Sequence, residues 1–150
     1  MSRPRDTRTL DLLTWQPANP ARAFEPEKVR AASLRSILCR AIALALKECG
    51  RDREQVAEEI GQYLGESCPK SMLDAYASEA REDHTMPLVK FLGLIHATGD
   101  MRLLQIIASQ FGWAVIPERY LGAVEEAVIA AKEEELGLLK RQARRRWKGN

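Results

Sequence analysis

The segment RDREQVAEEIGQYLGESCPKSMLDAYASEA, residues 51–80, reads as two short helices separated by a break. Gly50 closes the helix before it, and Asp52 with Gln55 three residues on makes an N-cap followed by a capping-box residue. Val56, Ala57, Ile60 and Leu64 then recur at helical spacing and lay one apolar stripe along the first helix. The break falls at GESCPKS. Pro69 stands in the first turn of the next helix, whose apolar face is Met72, Leu73, Tyr76 and Ala80, leaving Lys70, Ser71, Asp74, Ser78 and Arg81 pointing elsewhere. A short helix whose polar side is mostly small groups suits a major groove, where side chains must reach base edges without the helix being held off. The pattern is therefore the sequence form of a helix-turn-helix, and it is also the form of two ordinary helices in an all-α domain, a common arrangement.

Further helices follow outward from this pair. Upstream, residues 29–49 or 33–49 form a helix with Leu34, Ile37, Leu38, Ala41, Ile42, Ala45 and Leu46 on a broad apolar stripe, expected to be the central packing helix. Downstream, Thr85 and Pro87 start a helix whose Leu88, Phe91, Leu92 and Ile95 are spaced i, i+3, i+4, i+7, and Gly99 stops it. Asp100 caps a fifth helix holding Leu103, Leu104, Ile106 and Ile107, which ends at Phe111-Gly112. Five compact helices with the second and third as a reading pair is the arrangement of repressor-type DNA-binding domains.

The two ends differ from this centre. Pro4, Pro17, Pro20 and Pro26 interrupt residues 1–30, so an extended arm is expected there. Its Leu10, Leu12, Leu13 and Trp15 form an apolar cluster that points to docking, on the protein's own helices or on a partner. At the other end, residues 113–116 are a short apolar link, long enough for one strand. Pro117 then opens a helix running to about Arg146. In it Leu121, Val124, Val128 and Ala131 fit an a/d alternation, Glu135 and Gln142 break it, and the apolar line shifts to Leu136, Leu139 and Ala143. Self-association through Leu121, Val124, Val128, Leu136 and Leu139, packing of its first half on the domain, and a two-helix antiparallel coil are all open readings. The expected organisation is all-α: an arm over 1–30, a five-helix helix-turn-helix domain over 31–112, and a C-terminal helix with a basic tail over 113–150.

Charge is distributed by region. Residues 1–30 carry six Lys/Arg and four acids (+2), residues 31–139 eleven and seventeen (−6), and residues 140–150 six and none (+6), summing to +2. The body is acidic, whereas phosphate neutralisation supplies much of a DNA-binding protein's affinity, so the cations must come from the arms. The tail KRQARRRWKGN provides Lys140, Arg141, Arg144, Arg145, Arg146 and Lys148 around Trp147, a set able to contact phosphates and to stack. The same cations at a helix C-terminus also complement the helix dipole, with no ligand needed.

Other classes find little support. The longest apolar run, residues 41–46, is far short of a membrane span, and the basic N-terminus lacks a signal-type apolar core, so a cytoplasmic location is expected. Cys39, Cys49 and Cys68 lack any C-x-x-C pair and have only His84 and His96 to join them, which indicates neither a disulfide framework nor a metal site. No nucleophile elbow, P-loop, H-E-x-x-H or paired catalytic carboxylate occurs, and the consecutive Glu133, Glu134 and Glu135 point in different directions around a helix. Neither a catalytic residue nor a cofactor is expected.

The strings ALKECGRDREQVAEEI, YLGESCPKSMLDAYASEAREDHTMP and the Ala97-Thr98-Gly99-Asp100 turn followed by Leu103 and Leu104 resemble the CII-like DNA-binding regulators of Mu-like temperate phages and prophages. LDAYASEAREDH is the most specific, and the arm TLDLLTWQPANP is also similar to the N-termini of such phage proteins. The resemblance implies a DNA-binding regulator of transcription or transposition in a bacterial host cell, with Lys70, Ser71, Asp74 and Ser78 on the reading helix. Ala57 and Gly61 have the repressor spacing, but the chain continues through Gln62-Tyr63-Leu64-Gly65 and makes a longer turn. The expected partners are double-stranded DNA and further copies of the chain. The competing reading is a non-catalytic adaptor whose acidic body binds a phage or host protein.

Overall fold

The computed structural model describes residues 19–81 and 83–149, and every regular element among them is helical. After an extended stretch at residues 19–25 come α1 (Pro26–Val29), α2 (Leu34–Glu48), α3 (Arg53–Leu64), α4 (Lys70–Tyr76), α5 (Leu88–Thr98), α6 (Arg102–Ser109), a 3-10 turn (Glu118–Tyr120) and α7 (Leu121–Lys148). Leu10, Leu12, Leu13 and Trp15 lie outside the described residues.

Local chemistry sets most helix ends. Ser33 precedes α2 in extended conformation, and its hydroxyl accepts the Ser36 N–H at 3.1 Å. At α3 the Gln55 side chain reaches back to accept the Asp52 N–H at 3.3 Å. Gly65 and Gly99 end α3 and α5 in the left-handed conformation, at φ 70 and 66, as the sequence led one to expect of Gly99. Asp100 Oδ1 accepts the Arg102 N–H at 3.1 Å and so satisfies a free donor at the start of α6.

Ala41, Ile42, Ala45, Leu46, Val56, Ile60, Leu73, Leu94 and Leu103 form the centre of one core, and the arm's last residues, Phe24 and Val29, are buried against it. The Arg102 guanidinium lies 4.3 Å from the Phe24 ring centroid and is salt-bridged to Asp100 at 2.6 Å and Glu48 at 2.8 Å. The Asp100 hydrogen bond above all, with Glu48 behind it, raises that guanidinium's pKa further, so it stays charged under the arm.

Several expectations are corrected. The most extensive helix pairing is that of α3 with α5, while α2 packs on α1 and α6 and gives Ala41, Ile42, Ala45 and Leu46 to the core. Helix α5 turns Phe91, Leu94 and Ile95 inward, while Leu88 and Leu92 are exposed. The reason is Gly93: its bare backbone faces α3, where an added Cβ would stand 2.9 Å from Ile60 Cγ2, and this contact fixes the rotation of α5. Helix α4 ends at Tyr76, so Ala80 is exposed and Ala75 is buried in its place. Arg35 Nη1 donates to the Glu79 carbonyl at 3.3 Å, its Nη2 donates to the Arg81 carbonyl, and Arg40 Nε donates to Glu79 Oε1 at 2.7 Å. These bonds to α2 hold residues 79–81 off the helical path. The apolar link is not a strand. Gln105, buried on α6, accepts the Val115 N–H at 2.7 Å and donates to the Trp113 carbonyl at 3.3 Å. Finally, no residue of α7 is buried, which removes the reading that its first half packs on the domain.

Candidate nucleic-acid interface

The residues singled out in the sequence fall into two groups. In the first, Lys70 and Ser71 are exposed on the first turn of α4 and Asp74 is half-buried one turn on. Ser78 and Arg81 follow the helix instead of lying on it, which corrects their expected placement on the reading helix. With Leu73, Ala75 and Tyr76 buried, seven residues of α4 leave only one short outward edge. Asp74 forms an ion pair with Arg53 at the start of α3, and Arg51 forms one with Glu59. These pairs tie α3 to its surroundings and consume cations that a phosphate surface would need; among the described residues, Lys70 and Arg81 have no salt bridge.

The second group is the tail. Lys140, Arg141, Arg144, Arg145, Arg146 and Lys148 are all exposed on the last turns of α7, and Trp147 is 78% exposed. At about 100° per residue, Lys140, Arg141, Arg144, Arg145 and Lys148 share an arc of about 140°, with Arg146 outside it and Trp147 at its edge. The Arg141 guanidinium leans back over Gly137, whose added Cβ would lie 3.8 Å from Nη1. Five cations on one straight face spanning about 12 Å match the spacing of backbone phosphates better than the paired charges of α3 and α4 do.

The expected oligomerisation residues Leu121, Val124, Val128, Leu136 and Leu139 are also exposed, on the side of α7 roughly opposite the basic face. Glu125, Glu126 and Glu133 to Glu135 precede the basic stretch, so the helix changes sign along its length.

Three features escaped the reading of the sequence. Gln105 is a polar side chain inside the run Leu103 to Ile107, a position that by itself signals a buried hydrogen-bonding task. Arg35 and Arg40 reach a segment more than 38 residues away, for which no local pattern exists. Tyr63 stacks on His96, with ring centroids 4.0 Å apart and planes 14° apart, joining α3 to α5 at the surface.

Cys39 and Cys68 are buried, and burial pushes the Cys68 thiol up, away from the reactive thiolate. Among the described residues there is no group of three or more His, Cys, Asp or Glu placed to hold a metal, and no helix long and apolar enough to cross a membrane. Comparison of the chain with protein-family models, curated proteins and solved structures returns no match.

Proposed function

We propose that this chain is a non-catalytic DNA-binding regulator of the CII-like phage kind, acting on transcription or transposition, and that its main contact with duplex DNA is the basic face of α7. The observation that carries this reading is the set of five exposed cations on one side of that helix's last turns. Such a face neutralises phosphates without reading sequence. Sequence preference then falls to Lys70 and Ser71, the outward residues of the short α4, within the helix pair that resembles a helix-turn-helix.

The test is a titration of random duplex DNA with the full chain and with a chain ending at Leu139, at several salt concentrations. Five phosphate contacts predict a slope of log K against log salt of about −4 to −5 for the full chain. The shortened chain should bind all sequences more weakly, with a much flatter slope. An unchanged slope removes the tail from the interface. Absence of binding by the full chain at low salt overturns the DNA reading and favours the protein-binding adaptor.

A further inference from the structure

Helix α7 carries two surfaces, and the basic face is only one of them. On the other side Leu121, Val124, Val128, Leu136 and Leu139 are 47–65% exposed, and in the link that precedes the helix along the chain Phe111 and Trp113 are each 73% exposed. Complete burial covers roughly 60–120 Å² of apolar surface per aliphatic side chain and about 150–250 Å² per aromatic one. At the exposures seen here, these seven side chains leave roughly 400–700 Å² of apolar surface per chain, close to the about 800 Å² that each partner contributes to a standard interface with its polar rim. We propose that a second copy of this chain covers it, the two α7 helices pairing in antiparallel orientation with Leu121 against the partner's Leu139.

The spacing of the stripe dictates the orientation. Read forward, Leu121, Val124 and Val128 are separated by three and four residues, and read backward, so are Leu139, Leu136 and Lys132. The stripe is thus a palindrome about residue 130. An antiparallel pair sets Leu121 opposite the partner's Leu139, Val124 opposite the partner's Leu136, and the aliphatic stem of Lys132 over the partner's Val128. The Lys132 ammonium, 2.6 Å from its own Glu135, then comes within about one turn of the partner's Glu125.

Charge selects the same arrangement. A parallel pair places Lys132 beside Lys132 and six tail cations beside six more, whereas the carboxylates do not discriminate, Glu135 meeting Glu135 in a parallel pair and the partner's Glu125 in an antiparallel one. The antiparallel pair holds the two tails about 40 Å apart at the α-helical rise, and each tail leaves the paired stretch past the partner's Leu121. The basic faces stay on the outside, since they lie opposite the stripe.

Two variants, each with one exposed cysteine, test the pairing without any DNA, so the outcome is independent of the proposed function. Leu121→Cys and Leu139→Cys are each made with Cys49→Ser, because Cys49 is half-exposed whereas Cys39 and Cys68 are buried. Under mild oxidation the mixture of the two variants should yield a covalent dimer, and either variant alone little. Cross-linking of each variant alone would show a parallel pair and overturn the orientation. A wild-type chain that sediments as a monomer at tens of micromolar, or as a dimer that cross-links in none of the three samples, would overturn pairing through α7. Circular dichroism equal to wild type establishes that each variant is folded, and Leu136→Glu with Leu139→Glu should give a folded monomer.

Discussion

Gly93 of α5 lies so close to Ile60 of α3 that a Cβ on the glycine would come within 2.9 Å of Ile60 Cγ2 and 3.2 Å of Leu64 Cδ1. Ile60 is fully buried and has no room to retreat. Alanine normally favours a helix over glycine by about 1 kcal/mol, but overpacking a tight core costs about 1–3 kcal/mol. Gly93→Ala should therefore lower the thermal midpoint, and Gly93→Val should lower it further. A rise in the midpoint for Gly93→Ala would mean that α3 and α5 are less tightly apposed than described.

Gln105 fastens the link that leads into α7. Its side chain accepts the Val115 N–H and donates to Trp113 and to Ser109 Oγ, the last at 2.8 Å. Gln105→Leu keeps the volume and removes these bonds, leaving peptide groups of the link unpaired. A loss of about 1–3 kcal/mol is expected. Hydrogen exchange at the Val115 amide should quicken by more than exchange in α3; equal acceleration in both would make Gln105 a general core residue instead of a clamp.

The faces of the tail separate by substitution. Arg141→Ala with Arg145→Ala removes two cations from the shared arc and should flatten the salt slope of duplex binding by about 2. Arg146→Ala, on the other side of the helix, should change the slope by well under 1. Titrations in parallel salt series decide this, and equal effects would assign the contact to the tail's total charge and not to one face.

Lys70 and Ser71 are exposed and lie off the buried side of α4. Their joint replacement by alanine should leave the thermal midpoint nearly unchanged and reduce preference for a cognate site by about 1–3 kcal/mol. Competition between cognate and random duplexes measures the preference directly. Retained preference would remove α4 from base recognition, and a large fall in the midpoint would place both residues in the packing.

The sequence by itself determined where most helices begin and end. Ser33, Asp52 with Gln55, Pro87, Gly99 and Asp100 act on backbone groups within a few residues of themselves, so their effect is legible without a fold. The charge division between acidic body and basic tail is legible for the same reason, being a property of order along the chain.

Tertiary structure alone decided the rest. The run around Phe91 offers two apolar faces at the same helical period, and the contact of Gly93 with Ile60 chose between them. Helix α4 stops at Tyr76 although Ser78 to Arg81 contain no helix breaker, because Arg35 and Arg40 of α2 bind the following segment. The stripe of α7 is readable as apolar, but only the assembled chain leaves every one of its side chains unburied. In each case the deciding partner lies far along the chain, and periodicity reports that a face is apolar without reporting what it meets.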